Sequence, residues 1–548
     1  MGVLRGRAFL LPLAIGAVAV VLVVYFDLAT GVALSDEWEF RFPLMELRAG
    51  AGLKLWPGVL PVSLDQLLAA APLALAGVDP RFYRLTVIPF AILAGASSHV
   101  LAARRGADRF WSAVSGTLLM TSPVALSVAA GFTSDIGYIG LMLAALVAGQ
   151  RWVKEGRGAP VFLVLVVMAT LQRQHGVVLP LGLGAGLLVA RRHRTVSGRE
   201  WAWLAATTVA AAAAIAFPFV IGLASPVAGQ VRTGTRSTTP AIVVGAVTLF
   251  GPFLSLLLVP LLVALLRGHI ESDRRFDPFT VGAAILGAAG LASVLVWTFY
   301  FRAVIWPGNV FGVWGLGPIH LPGNKPTLVP IAAMLALQVV CTVCLAMVLI
   351  WRRDIWNTRA LGPDGALLTV VAVAHIPPIW FTTPLDRYYL AVVAPLVPLL
   401  CAFAATRPRP SRRLALARKA WALALMAIGV AYFIPAQADY IAWQNAVDRA
   451  ARVAYTLVAP ERVQAGYEAT GTYVATTSQM ATGHSAAEIV NATVPDPALG
   501  LELAGPGDPR PGAAWQSTAP GKVVIVCLGA PSDCPSAAAM EDAFRRLP

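Results

Sequence analysis

Long apolar runs separated by short polar breaks dominate this sequence. Most runs continue for about 20 residues, the length that an α-helix needs to cross a bilayer, whereas barrel strands alternate over about 10 residues. The pattern predicts about thirteen membrane-spanning helices. They cover residues 8–26, 83–103, 110–130, 136–150, 159–172, 176–190, 201–223, 241–266, 279–300, 328–350, 366–382, 388–405 and 420–436. We therefore expect an all-α polytopic membrane protein.

The end of the chain follows a different pattern. From about residue 437 to 548 it is less apolar and rich in Gly, Pro, Ala and Asp, and its run KVVIVCLGA is typical of a buried β-strand. Cys527 and Cys534 bracket LGAPSD, which leaves open a disulfide or two free thiols. We predict a transmembrane module over 1–436 and a small mixed α/β exported domain over 437–548.

Composition excludes most soluble classes. Hydrophobic residues make up 57% of the chain and charged residues 13%, against about 25% charged residues in a typical soluble protein. A soluble enzyme, a disordered chain and a coiled coil are therefore excluded. The 42 Lys and Arg exceed the 28 Asp and Glu, for a net charge of +14. In a membrane protein such an excess marks cytoplasmic loops, so we expect the lipid bilayer, and no nucleic acid, as a partner.

Basic residues recur in every second loop, which predicts the orientation. They are Arg5, Arg7, Arg104, Arg105, Arg109, Arg151, Lys154, Arg157, Arg191, Arg192, Arg194, Arg267, Arg274, Arg275, Arg352, Arg353 and the basic residues between 406 and 419. The positive-inside rule then predicts a cytoplasmic N-terminus, an odd number of spans and an extracytoplasmic C-terminus in the plasma (inner) membrane. The basic start MGVLRGR precedes a run long enough to span, so we expect a retained first helix.

Acidic side chains gather on the predicted outer face. Asp36 and Glu37 open the first outer loop, which covers about 27–82, and Asp135 lies in GFTSDIGYIGL, where the chain turns to re-enter the membrane. Each acidic site has two interpretations. One is helix capping, by Ser35 or Asp36 at the first site and by Asp135 at the second. The other is general-base catalysis, since a carboxylate near lipid has a raised proton affinity.

Three segments carry a family resemblance. SDEWEF (Ser35 to Phe40), TSDIGYI (Thr133 to Ile139) and LDRYYLAVVAPLVPLL (Leu385 to Leu400) together resemble the GT-C superfamily, polytopic glycosyltransferases that use polyprenyl-phosphate-linked sugars. The layout is similar to that of protein mannosyltransferases, aminoarabinose transferases and rhizobial-type lipopolysaccharide sugar transferases. Ile136 and Gly137 depart from the proline-containing continuation that is common in the family after its second acid.

The resemblance implies roles for the acidic residues. Asp36 or Glu37 would activate the acceptor hydroxyl, with Asp36 our choice, and Asp135 would orient the acceptor or a metal. Whether a divalent metal ion binds beside these three carboxylates stays open, and no other cofactor is expected. The chain lacks GxxxxGK[ST], HExxH and GxSxG motifs, so ATP-driven transport and common hydrolase chemistry lack support.

A lipid-phosphate donor would also need cationic groups, because arginine stays ionised beside hydrocarbon and offers paired N–H donors. The candidates for the donor phosphate are Arg173, Arg302 and Arg387, and those for further substrate contacts are His175, Lys325 and Tyr388. For Arg387 the alternative is an ion pair with Asp386 or an interfacial anchor, and for His175 a helix-end contact. We interpret Asp65, Arg81 and Arg84 as ordinary loop charge.

The expected reaction is a single displacement with inversion at the sugar C1, from a polyprenyl-phosphate sugar donor to a hydroxyl or amine acceptor on a glycan, lipid or protein. The sugar and the acceptor are not identifiable from the residues. The alternatives are a polysaccharide polymerase or ligase of the same superfamily, a non-enzymatic lipid or solute transporter, and a membrane scaffold with a sensing tail.

Overall fold

A computed structural model gives the fold of the chain. It describes residues 9–34, 36–53, 55, 63–221, 311–312, 315–317, 321, 358–381, 386–406, 412–459, 462–466, 469–470, 497–505, 507–515, 521–530, 532 and 534–546. In this part of the chain the protein is mostly helical, as the apolar runs predict.

The helices of the described residues follow the chain in this order. They are α1 (Leu10–Ala29), α2 (Glu37–Arg48), α3 (Leu64–Leu75), α4 (Ile88–Arg104), α5 (Arg109–Thr117), α6 (Pro123–Ala129), α7 (Ser134–Glu155), α8 (Ala159–Gln172), α9 (Leu179–Ala190), α10 (Gly198–Val220), α11 (Thr358–Ala374), α12 (Ile376–Phe381), α13 (Leu390–Thr406), α14 (Arg412–Leu457) and α15 (Ala537–Arg546). Short 3-10 turns cover Pro80–Val87, Leu119–Thr121, Gln174–Val178 and Asp386–Tyr389.

Six helices of the described residues are long and apolar enough to cross a membrane. They are Leu10–Ala29, Pro80–Arg104, Ser134–Glu155, Gly198–Val220, Arg387–Ala405 and Ala415–Leu457. Several expose large apolar side chains, among them Val21 in α1 and Val209 in α10, where lipid rather than protein would cover them. The protein is an integral membrane protein. The predicted spans 241–266, 279–300 and 328–350 lie outside the described residues, so the number thirteen stays a prediction.

Helix α7 lies at the centre of the bundle. It packs against α4, α8, α9, α11 and α13, and most of its residues are buried. Its contact with α4 is very close: a Cβ on Gly140 would lie 2.5 Å from the carbonyl oxygen of Phe90. A glycine is therefore required where these two backbones meet, as is usual where membrane helices approach closely.

The first outer loop folds into the protein. Helix α2 packs against α3, which in turn contacts α7 and α8. Trp38 and Phe40 of α2 are 1% and 6% exposed, so they belong to the protein core, although aromatic residues in such a loop would equally suit a membrane interface. The loop therefore brings its acidic residues against the helix ends of the bundle.

A four-stranded sheet lies near the end of the chain, before α15. Strands β3 (Val463–Gln464), β4 (Leu499–Ala504), β5 (Gly512–Trp515) and β6 (Gly521–Cys527) are ordered β3-β4-β6-β5. Before them in the sequence, β1 (Phe311–Gly312) and β2 (Gly315–Leu316) form a two-stranded ribbon of the described residues. Strand β6 confirms the strand predicted at KVVIVCLGA and pairs antiparallel with β4, with Leu499 opposite Cys527. Cys527 and Cys534 form a disulfide, which the sequence left open.

Helix α14 joins the bundle to the sheet. Its first half places Met426 and Phe433 in the core of the bundle, and its second half places Trp443 and Val447 in a separate core beneath the sheet. The helix runs without a break through the predicted domain boundary at residue 436. The two-domain division itself stays a prediction.

Candidate functional site

Four charged side chains from distant parts of the sequence meet at the predicted outer face. Asp36 precedes α2, Asp135 lies in the first turn of α7, Arg173 follows α8, and Arg387 lies in the 3-10 turn before α13. We call them the carboxylate–arginine cluster. The sequence predicted all four as site residues, and the structure brings them together.

Arg387 joins the two carboxylates. Its Nη2 donates a short hydrogen bond to Asp36, and its Nε lies 3.9 Å from an oxygen of Asp135. Arg173 donates a second short hydrogen bond to Asp135. Two negative and two positive groups therefore balance one another in a site where low solvent exposure strengthens each interaction.

The helix-capping interpretations do not hold for either carboxylate. The side chain of Asp36, at the N-cap of α2, makes no capping hydrogen bond to that helix. The residue at the N-cap of α7 is Thr133, and the Asp135 carboxylate is directed to Arg173. Both acids are therefore available to the cluster.

Tyr388 packs between the two arginines. Its ring centroid lies 4.8 Å from Cζ of Arg173 and 5.5 Å from Cζ of Arg387, and the His175 ring lies 6.4 Å away. These contacts hold both guanidinium groups by cation–π attraction. Two predicted substrate residues, Tyr388 and His175, thus border the cluster. The other predicted residues, Arg302 and Lys325, lie outside the described residues.

Glu37 has a different environment from its neighbour Asp36. Its Oε1 accepts hydrogen bonds of 2.8 Å from both Arg41 and Arg84, and its Oε2 accepts bonds of 2.8 Å from Arg84 and from the Leu34 N–H. Burial acts to raise the pKa of Glu37, but these partners outweigh it and hold the pKa at about 2, against an ordinary 4.5. A carboxylate held this way is a poor proton acceptor.

Arg84 is not ordinary loop charge, so that interpretation of the sequence was wrong. It is fully buried, and besides Glu37 it donates hydrogen bonds to the carbonyl oxygens of Asp27, Thr30 and Val32. These contacts fix the segment between α1 and α2. A signal existed in the sequence, because a charged residue next to an apolar run marks a buried partner.

A second polar pair was missed. The Tyr138 hydroxyl lies 2.6 Å from Nε2 of His375, whose Nδ1 lies 2.7 Å from the Val371 carbonyl. Since a carbonyl only accepts, Nδ1 carries the proton and Nε2 accepts from the hydroxyl. Tyr138 lies one turn after Asp135, so this bond ties the start of α7 to the residue that follows α11. Its signal was a histidine inside an apolar run.

The cluster does not suit a metal ion. Arg387 lies between Asp36 and Asp135, so a cation there would face a guanidinium group. Over the residues that the structure describes, no three His, Cys, Asp or Glu side chains are grouped to hold a metal. The arrangement suits an anion that exchanges for a carboxylate, because each guanidinium offers several N–H donors.

Comparisons with known proteins give distant likenesses among solved structures. No protein-family model and no curated protein matches the chain. Among solved structures, a crystal structure of ArnT from Cupriavidus metallidurans in the apo state matches over 93% of this chain and 96% of that chain, with 15% identity and a TM-score of 0.39.

Proposed function

We propose that the protein is a membrane glycosyltransferase that moves a sugar from a polyprenyl-phosphate carrier to a hydroxyl or amine acceptor at the extracytoplasmic face. The observation that carries the proposal is the carboxylate–arginine cluster at the mouth of a membrane helix bundle. It supplies an anion site for a lipid phosphate and a carboxylate for proton removal.

Asp36 is the general base in this proposal. Its side chain is 20% exposed, while that of Glu37 is 0% exposed and is held by two arginines. An acceptor hydroxyl can reach Asp36 from the surface, whereas it would have to displace buried ion pairs to reach Glu37. The structural role of Glu37 is to hold Arg84 and Arg41, and through them the backbone that carries Asp36.

Arg387 binds the donor phosphate. Without donor it neutralises Asp36, so the base is blocked. A phosphate anion offers the guanidinium group stronger, paired hydrogen bonds than one carboxylate oxygen does. Donor binding therefore releases Asp36 to accept a proton, and Arg173 retains Asp135 in place.

The chemical step is a single displacement. The acceptor oxygen forms a bond to the sugar C1 while the bond from C1 to the phosphate oxygen breaks. The acceptor proton moves to Asp36, and the electron pair of the broken bond stays on the phosphate, where Arg387 stabilises it. Attack opposite to the leaving group inverts C1. Asp36 accepts the one proton that is released, and Arg387 neutralises the charge that develops on the phosphate.

The extracytoplasmic location has independent support. Cys527 and Cys534 form a disulfide, and disulfides persist in oxidising compartments and are rare in the cytosol. The cluster lies at the ends of α7, α8 and α13 that the basic loops predict to face the same side as this domain. A donor on a lipid carrier would reach the site through the bilayer.

The test is transfer from radiolabelled polyprenyl-phosphate sugars in purified, reconstituted protein, with envelope extract as the acceptor source. We expect label to leave the lipid and appear on an acceptor with inverted C1. A polymerase or ligase would transfer only a preassembled glycan, and a transporter would move the lipid between leaflets with its sugar intact. Either result would overturn the proposal.

A further inference from the structure

We propose that the turn at the start of α3, formed by Ser63, Asp65 and Gln66, binds the hydroxyl groups of the donor's sugar. We call it the 63–66 turn. The inference rests on the proposed function and names the part of the site that reads the sugar. From the sequence, Asp65 alone among them was interpreted, as ordinary loop charge.

Polar atoms of the 63–66 turn are buried without partners. Ser63 Oγ, Asp65 Oδ2 and Gln66 Nε2 are shielded from solvent and have no hydrogen-bond partner among the described residues. Ser63 and Gln66 are each 1% exposed. Because about 90% or more of such buried groups are satisfied in folded proteins, three in four consecutive residues indicate a partner that binds there.

The backbone of the turn is also strained. Ser63 has φ 47° and ψ 32°, in the left-handed region that residues other than glycine rarely adopt. Strain of this kind is kept where the surrounding structure holds a side chain for a purpose.

The 63–66 turn lies beside the carboxylate–arginine cluster. Gln172 donates hydrogen bonds of 3.0 Å to Oε1 of Gln66 and 3.3 Å to the carbonyl oxygen of Ser134. Gln172 and Ser134 directly precede Arg173 and Asp135 in the sequence. The same hydrogen bonds that join the two helix ends therefore place the turn next to the cluster.

The chemistry of the turn selects a polyhydroxylated ligand. A hydroxyl donates and accepts, a carboxylate accepts, and an amide N–H donates, which complements neighbouring sugar hydroxyls. The carboxylate repels phosphate, and a polyprenyl chain has no group to satisfy these atoms. The turn therefore reads the sugar, while the cluster holds the phosphate.

The experiment compares the binding of bare polyprenyl phosphate with the binding of a panel of polyprenyl-phosphate monosaccharides. Dissociation constants are measured by native mass spectrometry on the full-length protein in nanodiscs. The variants are Ser63→Ala, Asp65→Asn and Gln66→Leu. The control is Asp79→Asn, an exposed loop carboxylate that pairs with Arg81.

We expect wild type to bind at least one glycosylated lipid more tightly than the bare lipid. Each variant should lose about 10-fold of that preference, as expected when one hydrogen bond to a buried group is removed. Ser63→Ala and Asp65→Asn should keep the wild-type affinity for bare lipid and the wild-type unfolding temperature. Gln66→Leu should also unfold at a lower temperature, because it removes the buried acceptor of Gln172. Asp79→Asn should behave as wild type.

The outcomes separate the two proposals. Binding of neither lipid by wild type would overturn the proposed function. Binding of both without preference, or a preference that all three variants retain, would overturn the inference alone. In that second case buried water, and not a sugar, would satisfy the turn.

Discussion

Asp36 and Glu37 are adjacent in the sequence but do different things in the structure. One pairs with Arg387 at an accessible position, and the other is enclosed by Arg41 and Arg84. Asp36 precedes α2 and Glu37 is the first residue of that helix, so the start of the helix separates one carboxylate facing the site from one facing the interior.

The Asp36→Asn variant tests the base. The amide keeps the shape of the side chain but cannot take a proton, so we expect kcat to fall by about 100-fold or more, with donor affinity retained. The measurement is single-turnover transfer in reconstituted protein. Asp79→Asn, in the same loop, should leave kcat unchanged, and normal turnover of Asp36→Asn would remove Asp36 from the mechanism.

The Glu37→Gln variant tests the buried ion pairs. It removes the carboxylate that pairs directly with both Arg84 and Arg41, and breaking such a buried pair costs roughly 3–5 kcal/mol. We expect a clearly lower unfolding temperature at neutral pH. Glu46→Gln, on the same helix, should change stability by less than about 0.5 kcal/mol.

The difference in unfolding temperature between wild type and Glu37→Gln should depend on pH. The reason is the pKa of Glu37, which is about 2 in the folded protein against an ordinary 4.5. A folded pKa below the unfolded one means that the charge stabilises the fold at pH values above 4.5. This stabilisation is lost as the pH falls from 4.5 towards 2. The gap in unfolding temperature between wild type and Glu37→Gln should therefore narrow in acid. A constant gap would mean that packing, and not charge, causes it.

The sequence was sufficient to predict which residues belong to the candidate site, but not which side chains pair with one another. Acids beside apolar runs and an arginine in DRYY indicate buried chemistry from the sequence alone. The pairing of Arg387 with Asp36 depends on how helices far apart in the chain pack. That information is spread over many weak contacts, so no local pattern carries it.

At the scale of elements, the close contacts between helices decide where the site residues lie. Helix α7 carries Asp135 and touches most of its neighbours, and its position depends on Gly140 against α4. The sequence predicted α7 as a span from its apolar run. It did not predict that α2 would be buried, because an amphipathic run with aromatic residues fits a membrane interface equally well.

The basic loops illustrate a related limit. Arg105 and Lys154 were interpreted as topology signals, yet both pair at 2.9 Å with Asp364 at the start of α11. The charges from which orientation is predicted also hold three helices together. A count of basic residues shows only the first role.

Gly140→Ala tests the contact between α4 and α7. The added Cβ would lie 2.5 Å from a backbone oxygen that cannot turn aside, so the helices must separate. We expect a loss of roughly 1–3 kcal/mol of stability and reduced transfer, because Asp135 moves with α7. Gly198→Ala is the matched control, since a Cβ there would meet nothing within 4 Å. Equal unfolding temperatures for the two variants would contradict the close contact.

At the scale of the whole molecule, the length of α14 determines how far from the helix bundle the sheet can lie. Its 46 residues extend about 69 Å at 1.5 Å per residue, about twice the 30 Å hydrocarbon core. Basic residues lie at its start, and polar residues such as Asp439 and Asp448 follow its apolar part. The helix is long enough to cross once and to hold the sheet beyond the opposite surface.

This arrangement predicts that the sheet and the cluster share the extracytoplasmic side. Alkaline phosphatase fused after residue 548 should be active in cells, and the same enzyme fused in the basic loop after Arg157 should be inactive. Cys527 and Cys534 should react with a maleimide only after reduction, because they form a disulfide. An inactive fusion after residue 548, with both thiols reactive in untreated protein, would put the sheet in the cytosol. The odd span number and the extracytoplasmic reaction would then both be wrong.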